Sequence, residues 1–142
     1  MEGGKYIKVG RKKIWVSHDN FEYYQPNTHE CGDCAIRAIT KVTGLTWRSA
    51  YIEACNATVK DMYTFNETAG MKIYLKEKGF EWVAVSPARG ESRPTVAEFA
   101  KSHPDGKYIL LVSNHFVAAQ GGKYYDIWDS GDKSLYGYWV KK

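Results

Sequence analysis

The chain has 142 residues, 44% apolar and 25% charged, with a formal net charge of +4. That is long enough to bury a core without staples, and the balance is too ordinary for a disordered chain. No apolar run is long enough to span a membrane, and no nucleic-acid motif accompanies the mild excess of cations.

The N-terminal stretch "KYIKVGRKKIWVS" predicts two short strands around Gly10. The following "HDNFEYYQPNTHECG" has a proline, two asparagines and no periodicity, and is expected to be a loop. From Asp33 the period changes. Ala35, Ala38, Ile39 and Val42 fall on one face of a helix, with Asp33 as the expected N-cap and Gly44 as the stop. Thr46 is placed to cap a second helix running to about Asn56. A third helix is expected from Glu67 to Lys78, ended by Gly79. "FEWVAV" reads as a strand, and Thr95-Val-Ala-Glu98 as a capping box opening a short helix that stops before Pro104.

The last third carries four strand candidates, "KYILLVS", "HFVAAQ", "KYYDIWDS" and "LYGYWVK". Helices early and strands late give an α+β expectation, an antiparallel sheet with helices packed to one side. Residues 1–142 are read as one domain: strands over 1–17, a helical half over 33–79 and a mainly sheet half over 80–142. Three cysteines are odd in number and sparse, which suits a reducing cytoplasm rather than a disulfide framework. The stretch "MEGGKYIKVGRKK" has no apolar signal region, so the chain is expected to act in the cytoplasm.

Two cysteines, Cys31 and Cys34, flank the start of the first helix. A helix N-terminus and a nearby imidazolium both favour a thiolate, so Cys34, first after the cap, is the candidate nucleophile. The Asp33 carboxylate beside it works the other way. His115 begins an apolar strand and is the candidate base, and the base needs an orienting acceptor. Gly121-Gly122 marks a hairpin. A three-residue connection, Gly121 to Lys123, puts His115 opposite Asp129. A two-residue turn puts Trp128 opposite and turns Asp129 to the other face. Asp129 is therefore the candidate orienter and Asp126 the alternative.

The order of these motifs resembles a papain-like cysteine peptidase: a Cys at a helix start, then a late His-Phe-Val strand, then Trp-Asp-Ser-Gly. Cys31-Gly-Asp-Cys34-Ala35 resembles the papain motif in which the second Cys is the nucleophile. The stretch "PDGKYILLVSNHFVAAQGGKYYDIWDSG" is similar to the His/Asp half of the peptidases that trim double-glycine leaders from bacteriocins. "GDCAIRAITKVTGLTW" looks like small phage and bacterial proteins with an Asp-Cys-x-x-Arg-Ala helix. The likeness covers Gln25 to Gly44 and Asp105 to Gly131, and the segment between them matches nothing.

The resemblance implies acyl transfer at a peptide, isopeptide or amide bond, with a peptide or protein substrate and no metal or organic cofactor. It implies no nucleic-acid partner and no membrane, and is silent on oligomeric state. It also implies an oxyanion-hole Gln six residues before the nucleophile, and here the register splits. Gln25 lies six before Cys31, the alternative nucleophile. If Cys34 attacks, Gln25 or Asn27 supplies the donor by an irregular path. A phage-encoded, catalytically silent domain that binds and modulates a host protein is the alternative function. Zinc on His29, Cys31, Cys34 and Cys55 lacks a second Cys-x2-4-Cys pair, and a thioredoxin-like redox motif lacks a leading βαβ unit.

Overall fold

The computed structural model describes residues 3–141. In chain order, β1 (Lys5–Val9), β2 (Lys12–Val16) and β3 (Phe21–Tyr23) come first. They are followed by α1 (Cys34–Thr43), α2 (Trp47–Val59), α3 (Thr68–Glu77), β4 (Glu81–Ala84) and α4 (Val96–Ser102). The chain then adds β5 (Lys107–Val112), β6 (His115–Gln120), β7 (Lys123–Asp126) and β8 (Gly137–Lys141). β1 and β2 pair with each other, and the remaining strands form a six-stranded sheet in the order β3-β7-β6-β5-β8-β4. No helix among the described residues is long and apolar enough to cross a membrane.

The α+β expectation holds, but the layering differs from it. Helices do not all lie to one side. Ile109 of β5, Phe116 and Ala118 of β6 and Trp139 of β8 pack against α1, α2 and α3. The alternating residues Tyr108, Leu110, Val112, Val117 and Ala119 pack instead against α4, Phe21 and the inner residues Ile14 and Val16 of the β1–β2 hairpin. A central strand covered on both faces loses its polar alternation. That is why "KYILLVS" and "HFVAAQ" read as continuous apolar runs.

The α1 stripe is buried as the period requires, with Ala35, Ala38, Ile39 and Val42 all inaccessible. The helix ends at Gly44, whose φ of 77° lets its N–H reach back to the Thr40 carbonyl. α2 is capped by the Thr46 hydroxyl, as its sequence indicates, but runs three residues past Asn56. The Thr95–Glu98 capping box forms in both directions.

One strand was hidden. Phe21–Tyr23 lies in the stretch read as loop and pairs in parallel with β7, so the sheet is mixed rather than purely antiparallel. Three residues, with Glu22 exposed between buried Phe21 and half-buried Tyr23, are too few for an alternation signal. β7 ends at Asp126, four residues before the end of the apolar-aromatic run "KYYDIWDS".

The turns at the two ends of β6 set the position of the site. Val112 pairs with His115 across a two-residue turn, Ser113-Asn114, with Asn114 at φ 53°. Asparagine tolerates that left-handed conformation better than most residues. At the other end Gln120 pairs with Lys123 across Gly121-Gly122, both at positive φ. This is a two-residue hairpin turn that only glycine enters freely.

Gly70 shows local packing overruling propensity. Alanine is the better helix former by about 1 kcal/mol. An added Cβ at Gly70 would overlap the Thr64 carbonyl oxygen, a backbone atom that cannot step aside. Gly70→Ala is therefore expected to lower the melting temperature, with an overpacking cost of roughly 1–3 kcal/mol. A melting temperature that rises would show that the α3 entry is looser than described.

Candidate active site

The two-residue turn decides which carboxylate lies beside His115. With Ala118 paired to Tyr125 and Ala119 to Tyr124, the same register carried forward puts Val117 opposite Asp126 and His115 opposite Trp128. His115 and Asp126 are then diagonal neighbours on one face, within side-chain reach. His115 Nε2 meets Asp126 Oδ2 at 2.6 Å. Asp129, the candidate from the three-residue alternative, is not beside His115. Its carboxylate accepts from the Ser17 and Gly131 backbone N–H groups at 2.8 and 2.9 Å and from the Tyr124 hydroxyl. Asp129 ties the end of the β1–β2 hairpin to β7, and Asp126 holds the place beside the imidazole.

Cys34 and His115 line the same cleft, and each shifts the ionisation of the other. Since Nε2 is taken by Asp126, Nδ1 is the nitrogen left for sulfur. The ring is also held by Trp128, which stacks on it at 5.1 Å between centroids and 29° between planes. Cys34 is the first residue of α1, where unpaired backbone N–H groups and the helix dipole favour negative charge.

Burial alone raises the Cys34 thiol. Hydrogen bonds from His115 and from the Phe116 backbone N–H, then the charges of His115 and Arg37, outweigh it and leave the thiol below its ordinary value. Burial likewise lowers His115. The bonds and charges of Asp126 and Cys34 outweigh that loss and bring the imidazole up to about 9. Thiolate and imidazolium stabilise each other, so the two groups titrate as a pair.

Asp126 is the best-held group in the site and is inaccessible to solvent. Oδ2 accepts from His115 and from the Ser130 hydroxyl at 2.8 Å. Oδ1 accepts from the Ile127 N–H at 2.8 Å and from Arg37 Nη2 at 3.2 Å. Four donors use the approximately four lone-pair positions of a carboxylate, leaving it an acceptor-only group.

Asp33 occupies the N-cap position but makes no capping bond through its side chain. Its carboxylate turns inward to Arg37 Nη1 at 2.6 Å and to Trp47 Nε1 at 2.8 Å. A competing buried cation explains why the expected cap does not form. Cys31 lies before the helix, is exposed, and contacts Asn27 Nδ2 at 3.5 Å. Partial desolvation and then the neighbouring Asp33 carboxylate push its thiol up, opposite to Cys34. All three cysteines are free, and among the described residues no group of three or more His, Cys, Asp and Glu side chains could hold a metal ion.

Cys31, Cys34 and His115 share an open cleft of about 840 Å³. Its other walls come from Asn66–Thr68 at the start of α3, the β5–β6 turn, Ile127, Trp128 and Tyr136. Gln25 and Asn27, the oxyanion candidates, are not among its lining residues. Asn27 is engaged with Cys31 and Thr28. Gln25 accepts from the Asn27 N–H at 3.0 Å, while its Nε2 is buried with no partner. His18 bonds Asp132, His103 stacks on Phe99, and His29 is exposed beside Thr28.

Ser130, Trp128, Trp47 and Arg37 also lie at the site, and the motifs that mark Cys34 and His115 do not mark them. The Asp33–Arg37 spacing of four is a helical ion-pair signal. Ser130 and Trp47 carry no local pattern, because the fold alone brings them in. No family model, curated protein or solved structure matches the chain.

The raised imidazole sets a pH dependence. Its folded value of about 9 lies above the ordinary 6.5. The stabilisation it contributes is therefore complete below about 6.5 and fades as pH rises through about 9. In an NMR titration His115 is expected to keep its proton to about pH 9, and to lose it earlier in Asp126→Asn and in Cys34→Ala. A titration near 6.5 in the wild type would mean that neither partner holds the ring.

Proposed function

We propose that this chain is a cysteine hydrolase of papain-like design, with Cys34 as nucleophile, His115 as acid and base, and Asp126 as orienter. The observation that carries the reading is the convergence of Cys34 and His115 on one cleft, with the His115 ring bonded from behind to the buried Asp126 carboxylate. Nucleophile, base and orienter in hydrogen-bond sequence are the parts covalent acyl transfer requires. Nothing in it depends on a metal or an organic cofactor.

In the reaction we infer, the Cys34 thiolate attacks the carbonyl carbon of a peptide, isopeptide or amide bond. The electron pair of the C=O moves onto oxygen. The Cys34 backbone N–H, in the first turn of α1, is a fixed donor available to that oxyanion. As the C–N bond breaks, the imidazolium gives its Nδ1 proton to the leaving amine, and a thioester remains on Cys34. The now neutral imidazole takes a proton from water, whose oxygen attacks the thioester. The thioester C–S bond breaks, the acid departs and the thiolate–imidazolium pair is restored. The cleft of about 840 Å³ has room for a segment of a peptide or protein substrate.

The arrangement favours Cys34 over Cys31 on two counts. Cys34 alone of the two has an imidazole partner, and the Asp33 carboxylate opposes ionisation at Cys31.

A thiol-directed acyl probe tests the reading. Labelling is expected to vanish in Cys34→Ala, to survive in Cys31→Ala, and to fall at least about tenfold in Asp126→Asn, since loss of an orienting carboxylate leaves the base misdirected. Asp129→Asn is expected to keep the labelling and lose thermal stability. Labelling that disappears only with Cys31→Ala would move the nucleophile. A Cys34 no more reactive than free cysteine would favour the non-enzymatic alternative, a silent domain that binds a host protein.

A further inference from the structure

Arg37 is a charged residue held almost wholly inside the protein, with 5% of its surface exposed. Its guanidinium sits between two buried carboxylates from different parts of the fold. Nη1 donates to Asp33 Oδ1 at 2.6 Å and Nη2 to Asp126 Oδ1 at 3.2 Å. Asp33 belongs to the end of the helix that carries Cys34. Asp126 belongs to the strand that steadies His115. One planar group therefore spans the joint between the two halves of the site.

We propose that Arg37 is a positioning residue of the Cys34–His115 pair, locking the Asp126 carboxylate toward the imidazole and offsetting the Asp33 carboxylate beside the thiol. The inference rests on the reading of Cys34 and His115 as the reactive pair and adds the group that keeps them paired. Arg37 touches neither sulfur nor imidazole; it acts through Asp126 and through the local field.

The geometry supplies the reason. A carboxylate turns about its last bond unless both oxygens are held. Asp126 Oδ1 is held by Arg37 and the Ile127 N–H, which leaves Oδ2 to His115 and Ser130. The Arg37 charge itself favours the Cys34 thiolate, and the Asp33 carboxylate, next to Cys34 in sequence, is paired with that same cation. The guanidinium fork suits the task because it offers parallel donors in one plane, which a lysine cannot.

The charged and titratable groups around the pair come from every wall. Asp33, Arg37 and Cys31 lie at the α1 end and Asp126 on β7, with Glu67 across the cleft. Lys133 lies over Trp128 at 5.7 Å. Among these cations, Arg37 alone is bonded to the carboxylate that holds His115.

The test is the pH profile of Cys34 alkylation by iodoacetamide, followed by peptide mass in a Cys31→Ala background. It reads the thiol–imidazole pair and needs no turnover. A protein that alkylates as expected but hydrolyses nothing would defeat the hydrolase reading and leave this one standing. Arg37→Met is expected to move the profile to higher pH, with a rate at pH 6.5 at least about threefold below the parent, since one unit of pKa is tenfold in thiolate. Arg37→Lys is expected to fall between the methionine variant and the parent, because it restores the charge but not the two parallel donors. Should methionine prevent folding, the paired Asp33→Asn, Arg37→Met variant removes one buried charge of each sign and carries the same expectation. A folded methionine or paired variant with the parental profile would overturn the proposal. So would a folded lysine variant that stays where methionine put it.

Discussion

The structure around the cleft depends on one saturated carboxylate. Asp126 collects donors from β6, from α1, from its own following residue and from the loop after β7. These segments are far apart in sequence, and a buried carboxylate with any of them missing would be left undersupplied. Satisfying it therefore fixes several things together: the rotamer of His115, the seating of the first helix against β6 and β7, and the path of the chain past Ser130. The Tyr24 N–H also reaches the Asp126 backbone carbonyl at 2.9 Å, so the short β3 strand is anchored at the same residue.

Within that frame the balance at Cys34 is a contest between burial and partners. A half-buried thiol by itself prefers to stay protonated. The imidazole, a backbone N–H, the Arg37 charge and the end of a helix all act in the opposite direction, and Asp33, the preceding residue in the chain, is paired with Arg37. Cys31 shows the same forces without the partners. It is three residues away, more exposed, next to the same carboxylate, and its thiol moves the other way. Sequence proximity to a helix start does not distinguish these two cysteines; access to His115 does.

Most of the fold could be read from local patterns, because α1, the capped α2, the Thr95 capping box and β6 each have a periodicity or a cap within a few residues. What escaped depended on distant neighbours. β3 is too short for a pattern and exists because β7 offers it an edge. Covering both faces of the sheet needed the β1–β2 hairpin and α4 to fold over the far side, which no local window contains. The site divided the same way. Cys34 and His115 are marked by where they sit on their elements. The choice between Asp126 and Asp129 turned on one residue of hairpin length, which flips every side chain beyond the turn. Asp33 misled for a related reason: its type suits a cap, but Arg37 and Trp47 claim its carboxylate.

The most direct measurement is the ultraviolet absorbance of the thiolate, taken as the difference between wild type and Cys34→Ala across pH. Paired with the His115 imidazolium, Cys34 should show thiolate absorbance at a lower pH than a free cysteine does, because its thiol lies below its ordinary value. A difference signal that emerges only around pH 8.5, where a free cysteine ionises, would mean that sulfur and imidazole do not share a proton, and the site would lose its claim to chemistry.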